Sequence, residues 1–424
     1  MAGVSRERRL LSGPPPLPEP ESFRDGDRRV LFDDIDPLKS RGPAGTLVGD
    51  RAMVRAVSRC ETFHRRFKTA TMADEKSFSH LFRYPNSFIP GGLSYGEALA
   101  RKVIELGLVD AAVPHMVDVG DGLGDLAKNA LPVLLGRWPG LTLSMVDLSP
   151  ALLDAQRKAL AEFGGRVDFI NGNAENLVGV VGKAGFLLSN EVLADLTTIT
   201  HIPRDEHEEF DLSLRNWFAK ENSGWWAMAG YYQDKYGLEV NHNVFAAKGA
   251  VPALNYGAFR FVENLGQLLS PGGSALLIEY TSPNFVAEVR LRGHEEYSIH
   301  ERNLVKVAEA NGFRVSSGPL GQWLGIDRKL QYVDPNHVNI WLILGADPAE
   351  VASMGDAGDQ MATDAAWKLV ADSERRTLLD RALTREEFRV LAREKGWDID
   401  ADKLKTLNAA AKADNYTYFA LTRK

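Results

Sequence analysis

The chain has 424 residues, of which 44% are hydrophobic, and a formal net charge of −7 at pH 7. This length is enough for one elaborated α/β domain with additions, or for two domains. The negative charge argues against nonspecific binding to nucleic acid or to an anionic membrane, because both ligands favour basic proteins. Cys60 is the only cysteine, which excludes an intrachain disulfide and a cysteine-based zinc site.

The first 45 residues are rich in proline, arginine, aspartate and glycine, and predict a flexible segment with few apolar positions to bury. They lack the continuous apolar run of a signal peptide, and no stretch predicts a membrane span, so we expect a soluble, cytoplasmic protein. Residues 46–110 predict a helical cap, because apolar residues recur at helical spacing from Met53 to Phe67 and helix resumes at Tyr95.

Residues 111–345 alternate between strand and helix patterns and predict the core domain. Ser149 and Pro150 are typical of a helix start directly after the second strand. Successive parallel βαβ units predict a doubly wound, mostly parallel, Rossmann-like α/β sheet. The strands are expected at 115–120, 141–147, 166–170, 185–189 and 274–279, with further strands at 313–316 and 337–344.

An insertion at residues 196–255 separates the fourth strand from the helix that leads to the fifth. Residues 210–261 hold 12 of the 38 aromatic residues of the chain. One interpretation is a helical subdomain with an aromatic core. The other is a lid or substrate subdomain, because insertions at this point of such sheets lie above the carboxyl ends of the strands, where ligands bind. The two interpretations are compatible.

Residues 346–424 predict a helical C-terminal extension. Thr384 is placed to cap a helix from Arg385 to Lys395. The chain ends in an alternating, aromatic-rich segment at 415–422, which predicts a final strand at the edge of the sheet.

Three glycines, Gly120, Gly122 and Gly124, follow the first strand and directly precede a helix. Glycines at this junction allow a ligand to approach the backbone, although the same spacing also fits a tight strand–helix turn. Asp147 ends the second strand, where a carboxylate can accept both hydroxyls of a ribose. The turn and this acid together predict a site for an adenosine nucleoside.

Both NAD and S-adenosylmethionine (SAM) fit that description, but the Gly-x-Gly-x-x-Gly fingerprint of nicotinamide sites is absent. Asp118 precedes the glycines at a position suited to the amino group of SAM, so we predict SAM as cofactor and S-adenosylhomocysteine (SAH) as product. Asn173 and Ala174 follow the third strand and are expected at the adenine. Leu148 and Asn190 complete the predicted cofactor contacts.

Glu191 and Asp195 follow the fourth strand, at the point that should face the methyl donor. They would share one face if a helical turn follows, and could hold a guanidinium between two carboxylates. Either could instead cap or pair locally. His294 and His300 are candidate bases in a loop after the fifth strand. His201 and His207 are six residues apart, off the spacing of a helical metal pair, so we predict no metal.

With these residues the chain resembles the MidA-like methyltransferases, the family of the mitochondrial complex I assembly-factor arginine methyltransferase. Residues 88–100, 118–126 and 189–195 are similar to the family's motifs, but Asp121 replaces a proline and Asp195 lies one place late. The family's Asp-Tyr-Gly after the fifth strand is Glu279-Tyr280-Thr281 here. The resemblance implies a SAM-dependent core and arginine N-methylation.

The sequence therefore predicts a SAM-dependent methyltransferase that modifies a guanidino or amino nitrogen of a cationic small molecule or peptide. We expect no nucleic-acid or membrane partner, and a homodimer is compatible with the sequence. Two alternatives stay open. One is a small-molecule O- or N-methyltransferase of specialised metabolism, and the other is a catalytically silent assembly factor with a SAM fold.

Overall fold

The structure is a computed structural model that describes residues 56–65, 77–215, 219–243, 250–291, 294–334, 381–396 and 401–424. The chain divides into two compact units. We call the one formed by Met1–Cys60, Asp195–Gly257 and Ser282–Val307 the insertion unit, and the remainder, Glu61–Ala194, Ala258–Thr281 and Ala308–Lys424, the sheet unit. The predicted segment 1–45 and the predicted strand 337–344 lie outside the described residues.

The sheet unit is built on a doubly wound, mostly parallel sheet, as the sequence predicted. Seven strands follow one another in the order β6-β7-β5-β4-β1-β2-β3. The pairs β1–β2, β2–β3, β1–β4 and β4–β5 are parallel. The strands are β1 (His115–Val119), β2 (Thr142–Asp147), β3 (Val167–Asn171), β4 (Ala184–Asn190), β5 (Leu269–Ser282), β6 (Phe313–Pro319) and β7 (Tyr416–Arg423).

The predicted position of the last strand at the sheet edge was wrong. β7 is antiparallel to both of its neighbours, pairing Tyr416 with Tyr280 of β5 and Thr417 with Pro319 of β6. β6 is therefore the edge strand. Phe419, Ala420 and Leu421 are consecutive and buried, which is typical of a strand covered on both faces.

Five helices connect or flank these strands. Ser94 and Glu97 form a capping box at the first of them, and Ser149 caps the helix that Pro150 begins, as predicted. Gly96 permits close packing of the first two helices, because a Cβ there would lie 2.5 Å from the carbonyl oxygen of Leu126. The helices are α1 (Tyr95–Glu105), α2 (Asp125–Arg137), α3 (Pro150–Ala159), α4 (Tyr256–Leu268) and α5 (Glu301–Ala310).

Shorter elements complete the sheet unit. Thr384 caps the helix Arg385–Glu394 in a capping box with Glu387, which confirms the predicted cap. Short α-helices lie at Glu61–Arg65, Phe78–Leu81, Leu320–Leu324 and Ala409–Ala413, and Gln331–Val333 pairs with Thr406–Asn408. Turns of 3-10 helix lie at Ala161–Arg166, Ala174–Asn176 and Ala401–Lys403.

The insertion unit has an aromatic core. Trp225, Tyr232 and Tyr256 are buried, and the ring of Tyr256 meets those of Trp225 and Tyr232 edge-on, with centroids 5.7 and 5.3 Å away. Helices lie at Glu206–Arg215 and Ala219–Tyr236, and Trp225 and Tyr232 belong to the second of them. The 3-10 turn Leu193–Asp195 begins in the sheet unit and ends in the insertion unit. The strands of the unit are Val57–Ser58, Thr198–Ile199, Ala250–Val251, Val286–Leu291, His294–Tyr297 and Ile299–His300.

Two local predictions in the insertion unit were wrong. Val57–Ser58 lies inside the stretch that predicted a helix, but it pairs with Thr198–Ile199 as a strand. The region around His294 predicted a loop, but Val286–Leu291 and His294–Tyr297 form an antiparallel pair. In both places pairing with a neighbouring strand overrides the local pattern. None of the helices in the described ranges is long and apolar enough to cross a membrane.

Candidate cofactor and acceptor site

The glycine turn joins β1 to α2 in a backbone conformation that requires glycine. Gly120, Gly122 and Gly124 have φ angles of 75°, 59° and 88°, all in the left-handed region. A Cβ at Gly120 would also lie 2.5 Å from Cγ2 of Val192. The turn therefore packs against the segment that follows β4. Gly120 is required because of its positive φ angle and because a side chain at this position would not fit.

Asp121 caps α2 and stands where the resembling family has proline. Its Oδ2 accepts a hydrogen bond from the amide of Ala127 at 2.9 Å, whereas the N-cap residue Gly124 has no side chain to do so. Burial, and then the charge of Asp118, raise the pKa of Asp121 well above its usual value. The substitution therefore places an additional carboxyl group beside the predicted cofactor residues.

Asp118 and Asp147 are buried acids at the carboxyl ends of β1 and β2. They are 1% and 7% exposed, respectively. Burial, and then the charge of Asp147, raise the pKa of Asp118, while burial raises the pKa of Asp147 to about 6. Neither acid forms an ion pair with a lysine or arginine of the described residues. The site is therefore strongly acidic and suited to a ligand that carries positive charge.

Gln156 on α3 connects the glycine turn to Asp147, a role that the sequence did not predict. The side chain is fully buried, and its Nε2 donates to the carbonyl oxygen of Gly122 at 2.9 Å and to Oδ2 of Asp147 at 3.0 Å. Asp147 Oδ1 accepts from the amide of Ser149 at 2.8 Å. A polar residue in an amphipathic helix resembles a solvent-facing one in sequence, so no local signal indicates this role.

The predicted adenine residues lie beyond the ends of β2 and β3. Asn173 caps the 3-10 turn by accepting from the amide of Glu175 at 2.9 Å, and Ala174 is buried. Asn171 donates to the carbonyl oxygens of Asp147 and Leu148, at 3.0 Å each. Asn171 thus joins β3 to the predicted ribose acid. Contacts of Leu148, Asn173 and Ala174 with a cofactor stay predictions.

Glu191 follows β4 in a strained conformation. Its φ is 58°, which is uncommon for a residue with a side chain. Its amide donates to the carbonyl oxygen of Ile278 at 2.9 Å, and its Oε1 accepts from the amide of Ser79 at 3.1 Å and from Nδ2 of Asn190 at 3.2 Å. Tyr95 donates its hydroxyl to Oδ1 of Asn190 at 2.7 Å. Both carboxamide ends of Asn190 are therefore used within the protein.

The helical spacing predicted for Glu191 and Asp195 does not occur. The left-handed backbone at Glu191 breaks the turn, and only Leu193–Asp195 forms a 3-10 turn. Asp195 belongs to the insertion unit. His294 lies in a strand, and its side chain is outside the described part of the structure. The roles predicted for Asp195 and His294 thus stay predictions.

His300 is buried in the insertion unit, and its hydrogen bonding decides its protonation. Its Nδ1 accepts from the amide of Asn303 at 3.4 Å, and burial lowers its pKa. A neutral imidazole that accepts at Nδ1 carries its proton on Nε2. In this tautomer His300 is a donor at Nε2 and does not offer a basic nitrogen there.

Glu279 is a further buried carboxylate that the sequence did not assign to the site. It lies in β5, is 2% exposed, and accepts hydrogen bonds from the amides of Ala194 at 3.1 Å and Tyr280 at 2.7 Å. The only sequence signal was its position in the motif where the resembling family has aspartate. Strand order, which places β5 next to β4, was needed to connect it with Glu191.

The residues at the turn fit a SAM molecule. Oδ2 of Asp118 and Oε1 of Gln156 are buried and have no hydrogen-bond donor among the described residues. Buried acceptors of this kind are normally satisfied. SAM brings donors in its ammonium group and ribose hydroxyls, and a sulfonium charge that would offset the buried carboxylates. Asp118, Asp147 and the glycine turn are therefore the residues that would hold it.

Comparison with known proteins agrees with this chemistry. Residues 98–307, just under half of the chain, match the family model described as "Putative S-adenosyl-L-methionine-dependent methyltransferase". No curated protein matches the chain.

Several solved structures are similar, all at low identity. A Burkholderia thailandensis protein bound to S-adenosyl-homocysteine is 15% identical, with 87% of this chain and 88% of that chain covered and a TM-score of 0.41. An uncharacterized protein of the same organism is 15% identical over 78% and 79% of the two chains, with a TM-score of 0.38. The 1,6-didemethyltoxoflavin-N1-methyltransferase of that organism is 13% identical over 52% and 69%, with a TM-score of 0.30.

Two further observations identify the enzyme class. The central sheet is mostly parallel with helices on its flanks, which matches the class I methyltransferase fold. The family match covers the glycine turn, Asp147 and the end of β4. The chain is therefore a SAM-dependent methyltransferase with a class I fold, and SAM is its cofactor.

Proposed function

We propose that the enzyme transfers a methyl group to a guanidino or amino nitrogen of a cationic acceptor, and that Glu191 binds this cation. The observation that carries the proposal is the contact of the next residue, Val192, with Gly120 of the glycine turn. This contact places the start of the segment after β4 directly against the turn that would hold the methyl donor. A carboxylate at this point suits a positively charged acceptor.

The surroundings of Glu191 support a binding role. One carboxylate oxygen, Oε1, is held by Ser79 and Asn190, while Oε2 has no hydrogen bond in the part of the chain that the structure describes. Strained backbone of this kind persists only when the surrounding structure holds it, and it is common at functional sites. The group is thus oriented by the protein and keeps one oxygen for a ligand.

The chemistry required of the protein is modest. When bound, SAM supplies a methyl group already activated by its sulfonium. The side chains have to align the acceptor nitrogen with that group, stabilise its charge, and exclude water. Glu191 would orient the nitrogen through a charge-assisted hydrogen bond. The new carbon–nitrogen bond would form as the carbon–sulfur bond breaks, and a guanidino nitrogen would release one proton to solvent or to a nearby carboxylate. An ammonium acceptor would have to release this proton before the attack, because its nitrogen has no free lone pair.

The test combines labelled SAM with a panel of acceptors, read by mass spectrometry. The panel contains agmatine, free arginine, an arginine peptide, small amines and neutral phenols. We expect methyl transfer to a guanidino or amino compound, with kcat/KM about 30-fold lower for Glu191→Gln and an unchanged affinity for SAH. Glu162→Gln, which changes an exposed carboxylate before β3, is the matched control.

Other outcomes favour other functions. Transfer only to neutral phenols, with Glu191→Gln as active as the wild type, would support a small-molecule O-methyltransferase. Binding of SAH without transfer to any acceptor would support an assembly factor with a silent SAM fold. We also propose that residues 196–255 form a substrate subdomain. Variants of this segment, measured with the same acceptor panel, test this proposal.

A further inference from the structure

We propose that Glu279 binds the acceptor cation together with Glu191, and that this pair, formed across two neighbouring strands, replaces the predicted pair of Glu191 and Asp195. The inference rests on the proposed function and specifies its substrate class. The acceptor would be a cation with at least two N–H donors, such as a guanidinium or a primary ammonium, and neutral acceptors of the same shape would be rejected.

The register of the sheet brings the two acids together. β4 and β5 are parallel, and Asn190 is paired with Ile278 in their ladder. The amide of Glu191 continues the ladder by donating to the carbonyl oxygen of Ile278 at 2.9 Å. Glu191 follows Asn190 and Glu279 follows Ile278, so the two acids are the next residues along the two paired segments. Neighbouring strands lie about 5 Å apart, so the two side chains begin from adjacent positions at the same edge of the sheet.

The carboxylate of Glu279 is fixed at this edge. Its two oxygens accept from different amides, Oε1 from Tyr280 and Oε2 from Ala194. The bond to Ala194 also ties β5 to the connection that follows Glu191, so one carboxylate helps to set the path of the segment that carries the other.

The charges of Glu191 and Glu279 both act on the hydroxyl group of Tyr95. This hydroxyl is buried and donates to Asn190. Burial, and then the charges of Glu191 and of Glu279, raise the pKa of Tyr95 well above its usual value. Both carboxylates are therefore close enough to act on the same buried hydroxyl.

Two carboxylates placed in this way should favour cationic acceptors over neutral ones. An acceptor with two N–H donors can meet one carboxylate oxygen of each acid, and charge-assisted hydrogen bonds are about twice as strong as neutral ones. A neutral acceptor would not offset the negative charge of either carboxylate. We therefore expect selectivity for cations to depend on both residues.

The experiment measures agmatine as substrate for the wild type, Glu279→Gln, Glu279→Asp and Glu191→Gln, with SAH affinity and thermal unfolding recorded for each. We expect Glu279→Gln to lower kcat/KM for agmatine about 30-fold or more through a higher KM. Glu279→Asp keeps the charge and should recover part of that loss. Glu162→Gln should behave as the wild type.

The outcomes separate this inference from the function on which it rests. If the wild type methylates agmatine and the two Glu279 variants do so equally well, the inference is wrong and the proposed function stands. If the wild type binds SAH but methylates neither agmatine nor any other cation, the proposed function fails and the inference fails with it. If Glu279→Gln melts early or loses SAH affinity, Glu279→Asp decides the inference, and a KM for agmatine equal to that of the wild type contradicts it.

Discussion

Gln156 offers the sharpest test of how the site is assembled, because one buried side chain connects the glycine turn to the ribose acid. The change is Gln156→Met, which has nearly the same length and no polar group. Its hydrogen bond to Gly122 contributes about 1 kcal/mol and the one to the carboxylate of Asp147 about 2 kcal/mol. Methionine also removes the unpartnered Oε1, which offsets about 1 kcal/mol.

The free energy of unfolding should therefore fall by about 2 kcal/mol, measured by urea unfolding and circular dichroism. The affinity for SAH should fall about tenfold, measured by calorimetry, because the turn loses its tie to Asp147 and the ligand loses an acceptor. Gln322→Met changes an exposed glutamine of the sheet unit and serves as the control. If Gln156→Met changes neither quantity by more than Gln322→Met does, the assigned role of Gln156 is wrong.

Three further outcomes are expected. Gly120→Ala should abolish SAH binding, because its Cβ would lie 2.5 Å from Val192, whereas Gly140→Ala has open space and should bind normally. Burial raises the pKa of Asp147 to about 6, so the folded chain binds this proton more tightly than the unfolded chain. Its contribution to stability should then fall as the pH rises from about 4 to about 6, while SAH affinity rises, and Asp147→Asn should remove that component from both pH profiles. Asp121→Asn keeps an acceptor for α2 and removes a carboxyl group whose ionisation is disfavoured by burial and by Asp118, so it should raise the Tm at pH 8 by about 3 °C, and a lower Tm would contradict this reasoning.

Much of the sheet unit could be predicted from the sequence, because its signals are local. Short apolar runs separated by helical periodicity predicted the five parallel strands, and Ser149 and Thr384 predicted caps that the structure confirms. The glycine turn could also be predicted from the sequence, since only glycine readily adopts the left-handed backbone angles found there. Asp147 was placed at a strand end by the length of an alternating segment. These features depend on residues a few positions apart.

Tertiary structure alone decided the rest, because it depends on which strands become neighbours. The insertion of β7 between β5 and β6 has no local signature, since an alternating apolar strand suits an edge or an interior position. The same is true of Gln156, whose partners lie 34 and 9 residues away, and of Glu279, which reaches Ala194 across 85 residues. Sequence spacing suggested Asp195 as the partner of Glu191, but strand pairing placed the amide of Glu191 on Ile278, one residue before Glu279. A carboxylate's neighbours are set by backbone ladders that close long loops, and no local pattern encodes them.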